Sequence, residues 1–308
     1  MKRWGMLACL LALLLLIPAG EGLKAQSGGG PSGWDAFNNL DVGGELRIRP
    51  EYRSPFSYSG APDSDDRSLM RTRLHIGFDV SDHVAAMLEF QDSRAFGEEP
   101  LTVNSNANEL DLHQGYVRFH KLQDTRYMRY MPEGSDAWIV FGRERLPQFG
   151  EGRMISTLEW DNVGRRYDGG RFGYAYRDDH QIDVLFANLG ENALGASPGG
   201  STVDDKLYGF NFNSSALPAV DVDLYFWWRE FDRTTKFDDR TYGVRLEGDF
   251  DEMEMEMLEG AYASFELAFQ NGDRGLGPTL DVSAIGWALD LGYELSDTRF
   301  SPGIGVGY

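Results

Sequence analysis

Arginines gather in one stretch of an otherwise acidic chain. The formal net charge is -20 at pH 7, and only three lysines, Lys121, Lys206 and Lys236, follow residue 25. Guanidinium groups suit fixed, bidentate recognition of carboxylates and phosphates, whereas lysine is the default solubilising cation. The arginines in residues 142–171 and on their flanks are Arg118, Arg143, Arg145, Arg153, Arg165, Arg166, Arg171 and Arg177. The pattern predicts binding of an anion, with pairing to the chain's own acids and GC-rich codon usage as alternative explanations.

Residues suited to other chemistry form no recognisable motif in the sequence. The histidines, which lie without metal-ligand spacing, are His75, His83, His113, His120 and His180. The sequence also contains no nucleophile elbow, no zinc-protease helix motif and no phosphate loop. Acidic runs at 63–66 and 98–99 are interpreted as solvated loop tips, with binding of a divalent cation as the alternative. The alternation of Met and Glu over 251–259 is interpreted as a feature without chemistry, with a hairpin end at the membrane surface or an extension of the next strand as alternatives. We therefore expect neither an enzyme nor a cofactor.

The first residues have the features of a secretory signal peptide. Met1 is followed by two basic residues, an apolar run over residues 4–17, and small residues up to Ala25. Such a run is too short to span a bilayer comfortably, which takes about 20 residues. We predict a signal peptide over residues 1–25, with cleavage after Ala19 as the alternative. Residues 26–39, rich in Gly and Ser, are expected to be a flexible periplasmic lead-in. The single cysteine, Cys9, would be removed with the signal peptide.

From Leu40 onward the chain alternates apolar and polar residues with a period of two. In the first run Leu46 and Ile48 share one face, while Glu45, Arg47 and Arg49 share the other. This is the pattern of a strand with one apolar and one charged face. Similar runs recur up to Tyr308, giving 13 predicted strands of about nine to thirteen residues and no helix. A break in phase near His113 predicts a β-bulge.

The connections between these strands alternate in length. Short turns include 81–82, 178–179, 214–218 and 296–301, and long polar loops include 54–67, 92–109, 147–165, 190–205, 232–239 and 271–279. Only the link 121–136 is long where a short turn is due. Outer-membrane barrels show this alternation, and a mean hydropathy of -0.41 is compatible with them because lumen-facing residues are polar. We predict an all-β, antiparallel transmembrane β-barrel with 13 to 14 strands over residues 40–308. A soluble β-sandwich is the alternative.

An odd number of strands is unusual for a barrel. If the first strand leaves the periplasm, the thirteenth runs outward, whereas bacterial single-chain barrels have even strand numbers. An unpaired edge in lipid would leave backbone groups unsatisfied. We therefore expect residues 40–308 to be an incomplete barrel domain. A missed strand and a closed smaller barrel is the alternative.

Several segments carry a resemblance to a known family. In chain order they are ELRIR (45–49), RTRL (71–74), DLHQGYVRF (111–119), FGRERLPQFGEGRMI (141–155), Trp160 and RRYDGGR (165–171). Together they resemble the alginate-export family of outer-membrane barrels. The resemblance implies a Gram-negative outer membrane, a larger barrel of about 18 strands with a water-filled channel, and passive export of an anionic exopolysaccharide through an arginine-lined lumen.

The candidate substrate-binding residues are therefore inward-facing arginines. They are Arg47, Arg49, Arg71, Arg73, Arg143, Arg145, Arg165, Arg166, Arg171 and Arg245. Stretch 142–171 is predicted to be an extracellular loop that folds inward to narrow a pore, with Arg143 and Arg171 facing the lumen. For each arginine a structural ion pair is the alternative role.

The expected partners are outer-membrane lipid, an anionic polysaccharide or a small solute, and periplasmic secretion proteins. The charge of -20 argues against nucleic acid as a partner. A general porin is the second functional hypothesis, and a barrel enzyme or adhesion protein is the third.

Overall fold

The computed structural model describes residues 40–53, 65–97, 106–177, 179–189, 206–232, 236–250, 260–275, 280–294 and 303–307. The predicted signal peptide, the predicted lead-in, the acidic run at 98–99 and the Met/Glu run over 251–259 lie outside these ranges. Within the residues that the structure describes, no helix has the length and apolar character that a membrane crossing requires.

Thirteen strands form one antiparallel sheet in which each strand pairs with the next in chain order. They are β1 (Leu40–Arg53), β2 (Asp65–Ser81), β3 (Val84–Phe96), β4 (Asn108–Phe119), β5 (Ser135–Glu144), β6 (Tyr167–Tyr176), β7 (His180–Leu189), β8 (Lys206–Leu217), β9 (Val220–Asp232), β10 (Lys236–Asp249), β11 (Ala261–Gly275), β12 (Leu280–Glu294) and β13 (Gly303–Gly307). A short 3-10 helix, Leu122–Asp124, lies between β4 and β5. Among the described strands the sheet is open, because its pairing begins at β1 and ends at β13.

Alternation along each strand separates polar from apolar side chains. On β2 the side chains of Arg67, Arg71 and Arg73 are buried, while Phe78 and Val80 on the opposite face are exposed. The same apolar face exposes Leu46, Ile48, Phe186, Trp287 and Leu291 on other strands. A soluble sandwich would bury its apolar face, whereas a membrane barrel presents it to lipid. The predicted all-β transmembrane fold is confirmed.

The sheet curls around residues 145–166, which connect β5 to β6; we call them the inner segment, and the face they cover the inner face. Arg47 on β1 contacts Glu159 of the segment, and Asp290 on β12 contacts Arg153. In a flat sheet β1 and β12 would lie about 53 Å apart, at about 4.8 Å per strand. The six steps along the chain from Arg153 to Glu159 span at most about 21 Å. Side-chain reach does not close this gap, so the strands must curve around the segment.

The predicted bulge near His113 is confirmed. Glu89 on β3 pairs with Gln114, and the next residue, Phe90, pairs with Leu112, so His113 has no partner in the ladder. The extra residue turns His113 inward, where its side chain is fully buried.

Several strands extend further than the apolar alternation indicated. β2 begins at Asp65, β3 ends at Phe96 and β11 ends at Gly275. These ends are polar, and they are held by the backbone ladder and by cross-strand ion pairs such as Arg274 to Asp239 at 2.7 Å. A search for apolar alternation detects only the part of a strand that faces apolar surroundings.

Aromatic side chains lie over glycines on neighbouring strands of the inner face. The cross-strand pairs are Trp138–Gly173, Trp227–Gly209, Tyr225–Gly243 and Tyr262–Gly292. A Cβ atom added to Gly209 would lie 2.2 Å from the ring of Trp227. Because glycine has no side chain, the aromatic ring of the neighbouring strand can occupy the space above it. This contact stabilises sheets that contain glycine.

Candidate functional site

The inner segment begins with apolar residues that pack on the middle of the inner face. Leu146 and Phe149 are buried, and the rings of Phe149 and Trp227 have centroids 5.0 Å apart. The surrounding cluster also contains Tyr167, Leu185, Ala187, Leu207, Tyr225 and Ala268, with Ile155 packed against it. Because these residues lose contact with water only when the segment lies inward, their burial favours the inward position.

The second half of the segment is anchored by Asn162, which is 0% exposed. Its side-chain amide donates to the carbonyl oxygens of Met70, Arg94 and Asn106 at 3.1, 3.2 and 2.7 Å. In return the Ser93 hydroxyl donates to the Asn162 carbonyl at 2.8 Å. A buried amide that satisfies several backbone acceptors fixes the segment at this point.

Next to this anchor, guanidinium groups from β1 and β2 converge on main-chain carbonyls of the segment. Arg47 donates to the carbonyls of Glu159 and Asp161, at 2.8 Å in each case. Arg71 donates to the same two carbonyls at 3.2 Å. Arg49 donates to the carbonyl of Trp160. A carbonyl oxygen satisfies a guanidinium N–H but does not neutralise its charge.

The carboxylates nearby are shared among several arginines. Arg73 contacts the Glu159 carboxylate at 2.7 Å, and Arg145 contacts the same carboxylate at 3.5 Å. Arg71 contacts Glu45 at 2.8 Å. In this cluster the arginines Arg49, Arg67, Arg71, Arg73 and Arg145 contact the carboxylates of Glu45, Glu51, Glu89 and Glu159, and Arg47 contacts the main-chain carbonyl of Glu159. We call this group the arginine cluster; among the described side chains its arginines outnumber its acids.

The first half of the segment lies against an acidic part of the inner face. Glu151 accepts a hydrogen bond from the Ser264 hydroxyl at 2.9 Å, and Arg153 contacts Asp290 at 2.7 Å and Glu266 at 3.4 Å. The acids here are Glu151, Asp223, Glu247, Glu266 and Asp290, and the arginines that contact them are Arg153 and Arg245. Charge on the inner face is therefore segregated: arginines predominate in the arginine cluster, and carboxylates predominate around the first half of the segment.

The arginines around the inner segment hold its two acids Glu151 and Glu159 in the ionised form. Burial raises the pKa of Glu159, but the hydrogen bond from Arg73 and the charges of Arg73, Arg145 and Arg71 outweigh it, so the pKa lies below its ordinary value. Burial likewise raises the pKa of Glu151, and hydrogen bonds from Ser264, Arg153 and Arg245 lower it further than burial raises it. Both carboxylates therefore remain available for ion pairing in weakly acidic solution.

Of the arginines proposed from sequence, Arg47, Arg49, Arg71, Arg73 and Arg145 come together in the arginine cluster. Arg245 lies instead in the acidic part, paired with Asp223 at 3.2 Å. Arg171 lies on the inner face between Glu144 at 3.1 Å and Asp183 at 2.8 Å.

The remaining three candidates lie near the ends of the inner segment. Arg166 is buried and donates to the Asp111 carboxylate, while Arg165 is half-buried, with its main-chain N–H on the Thr157 carbonyl at 2.6 Å. Arg143 pairs with Asp168 at 2.6 Å. By strand alternation Arg143 shares the face of the exposed Phe141, opposite to Arg171, so the structure does not place it with the others.

Sequence reasoning missed the neutral residues that hold the segment. Gln91 receives a hydrogen bond from Arg73 at 2.6 Å and donates to the Val163 carbonyl at 2.5 Å. Gln91, Ser93 and Asn162 are all buried. A possible signal for the two strand residues was their alternation with Phe90 and Asp92, which places them on the face of the inward arginines. No group of three or more His, Cys, Asp or Glu side chains placed to hold a metal ion occurs in the described ranges.

Comparison with known proteins yields a family match. The family model described as alginate export matches residues 38–308. No curated protein matches the chain.

Solved structures with a similar arrangement of strands are outer-membrane proteins. OmpT of Vibrio cholerae, in its trimer form, is 10% identical, with 87% of this chain and 88% of that chain covered and a TM-score of 0.39. OmpF of Salmonella typhi, in complex with daunomycin, is 10% identical, with 88% and 97% covered and a TM-score of 0.38. OccAB4 of Acinetobacter baumannii is 9% identical, with 84% and 78% covered and a TM-score of 0.40. At these values the likeness carries no argument about function.

Proposed function

The chain belongs to the alginate-export family, and from that premise we propose that it passes an anionic exopolysaccharide, of the alginate type, out of the cell. The protein is an outer-membrane channel. The proposed transport is passive and involves no chemical step. We further propose that residues 1–25 are the signal peptide for export of the chain from the cytoplasm, and that periplasmic secretion proteins deliver the polymer to the channel in the outer membrane.

The observation that carries the proposal is the arginine cluster. Arg47 donates to main-chain carbonyls of the inner segment and to no described carboxylate, and Arg49 and Arg71 add such carbonyls to their ion pairs with Glu51 and Glu45. The six arginines of the cluster are therefore held in place without full neutralisation by its four acids. Fixed donors that retain a positive field attract carboxylates and need no rearrangement to meet them. A polymer with a carboxylate on every sugar residue would find such a site repeatedly as it moves.

The acidic part of the inner face supports the same proposal. Carboxylates such as Asp290 and Glu247 repel a polyanion, and would keep it on the side of β1 and β2. The inner segment lies between the two parts and would narrow the passage. We propose Arg47, Arg49 and Arg145 as the substrate-binding side chains, with the buried Arg71 and Arg73 adding positive charge behind them. Arg145 is the member most accessible to a passing chain, because its side chain is 40% exposed.

A general porin for small solutes is the second candidate, and one observation favours it. Arg171 and Arg245 are each held by two or more carboxylates on the inner face. Arginines neutralised in this way serve structure and add little attraction for a polyanion. A small-solute channel would need only the size limit that the inner segment imposes.

Planar-bilayer recording of the purified protein separates the two candidates. The export proposal expects a preference for anions, and block of the current by added polyuronate. Arg145→Glu should lower both the anion preference and the block. The control, Arg126→Glu, changes the same charge on the exposed turn between β4 and β5 and should leave both unchanged. A cation preference without block in the unmodified protein would overturn the proposal in favour of the general porin.

A further inference from the structure

Trp160 is an exposed aromatic residue on an otherwise anchored segment. Its side chain is 74% exposed, whereas Asn162, two residues later, is fully buried. Leaving so large an apolar surface in water is unfavourable unless something covers it in use. Its position beside the arginine cluster suggests which kind of molecule covers it.

The ring of Trp160 is held in place. The guanidinium carbon of Arg49 lies 4.3 Å from the ring centroid, which is a cation–π contact. Arg49 also donates to the Trp160 carbonyl, and Arg47 donates to the carbonyls on either side. Since Arg49 covers one face of the ring, the exposed surface includes the opposite face.

An aromatic face has negative electrostatic character, so it attracts the weakly positive C–H groups on the face of a sugar ring. Guanidinium groups bind carboxylates, often through two parallel hydrogen bonds. Here the two recognition elements are linked through consecutive residues, because Arg145 contacts the carboxylate of Glu159, the residue that precedes Trp160. A pyranose that carries a carboxylate, which is a uronate, satisfies both elements at once.

We propose that Trp160 and Arg145 form a subsite for one uronate residue, in which the sugar ring stacks on the free face of Trp160 and its carboxylate meets Arg145. This subsite rests on the proposed export function and adds a positioning element to it. Arg145 contributes attraction during approach, and Trp160 prolongs the time that each sugar residue remains bound. The weak 3.5 Å contact between Arg145 and Glu159 is the one that the sugar carboxylate would replace.

Block of single channels by a short oligouronate tests the subsite, since association and dissociation are read separately. Trp160→Ala should shorten each block by about three- to tenfold, the range expected for loss of one aromatic contact, with little change in how often blocks begin. Trp160→Phe should restore most of the lifetime. Arg145→Gln should make blocks less frequent. Tyr127→Ala, at a residue exposed on the turn between β4 and β5, is the matched control and should match the unmodified protein.

Each contrary result has a distinct meaning. If the oligouronate blocks the unmodified protein and Trp160→Ala leaves the block lifetime unchanged in a channel of normal conductance, the subsite is wrong while the export function stands. If a neutral oligosaccharide of the same length blocks equally well, the assignment of a uronate is wrong. If neither sugar blocks the unmodified protein, both the subsite and the proposed substrate class fail.

Discussion

Arg73 on β2 and Glu159 in the inner segment form an ion pair of 2.7 Å in which the arginine is buried. Gln91 accepts a hydrogen bond from the other side of the same guanidinium at 2.6 Å. The arginine is thus fixed between a strand and the segment, and the pair couples the position of the segment to the ionisation of one carboxyl group.

This pair predicts that acid loosens the inner segment. The pKa of Glu159 lies below its ordinary value of 4.5, since Arg73, Arg145 and Arg71 outweigh the effect of burial. A carboxyl group with a lowered pKa in the folded state stabilises that state above its ordinary pKa, and the contribution is lost as the pH falls through the folded-state value. Current fluctuations of single channels should therefore stay low at neutral pH and increase below about pH 4.5.

Glu159→Gln should show larger fluctuations already at neutral pH and a weaker response to acid. Some response should remain, because the pKa of Glu151 is lowered as well. Glu133→Gln, on the exposed turn between β4 and β5, is the control. An unmodified channel that is equally quiet at pH 7 and at pH 3 would contradict the role of the pair.

Asn162 should matter more for the segment than any of its exposed ion pairs. Asn162→Ala removes the amide from three carbonyl acceptors, and leaving buried acceptors without donors costs about 1–3 kcal/mol. The expected result is a lower free energy of unfolding in urea, measured in lipid vesicles, together with a noisier channel. Met154→Ala, at an exposed position in the same segment, should change neither. An equal effect of both variants would show that Asn162 is not the anchor.

The sequence contained the fold but only part of the site. The alternation of Leu46 and Ile48 with Arg47 and Arg49 sufficed to assign strands and faces, because successive side chains of a strand point to opposite faces of the sheet. The phase break at His113 similarly located a bulge, since one extra residue in a strand moves the side chains that follow it to the opposite face of the sheet. Alternation should also have assigned Arg143, which has the parity of Phe141, to the outer face.

The partners of the arginines could not be read from alternation. Arg47 lies 112 residues before the carbonyl of Glu159 that it contacts, and no local pattern connects the two. Whether a guanidinium meets a carboxylate or a carbonyl depends on how the segment folds across the sheet. That path is set by Phe149 at one end and Asn162 at the other, and both looked like ordinary loop residues.

Arg171 should contribute strongly to the free energy of unfolding. It bridges Glu144 and Asp183, and Asp183 is only 1% exposed. Arg171→Met would leave a buried carboxylate without its cation, which costs about 3–5 kcal/mol. Urea unfolding in vesicles should register this loss, and replacing Glu144 and Asp183 by Gln and Asn in the same protein should recover much of it.

The matched control for Arg171 is an ion pair in a more exposed position. Arg94 contacts Asp92 at 2.5 Å, with the arginine side chain 46% exposed, and exposed pairs contribute at most about 1 kcal/mol. Arg94→Met should therefore have a small effect. If Arg171→Met is equally mild, Asp183 must be hydrated or protonated, and the bridge has no structural role.

Gly209 and Gly286 offer a test of the glycine–aromatic contacts. Gly209→Ala would place a Cβ atom 2.2 Å from the ring of Trp227, whereas a Cβ atom at Gly286 has no neighbour within 4 Å. Overpacking a filled site costs about 1–3 kcal/mol, so Gly209→Ala should lower the free energy of unfolding by that amount. Gly286→Ala should leave it unchanged or raise it slightly, because alanine restricts the unfolded chain.

Combining Gly209→Ala with Trp227→Leu should reduce the penalty of the alanine, since the smaller side chain no longer occupies the space above residue 209. If Gly209→Ala alone is as stable as Gly286→Ala, Trp227 can move away at no cost, and the ring does not depend on the glycine.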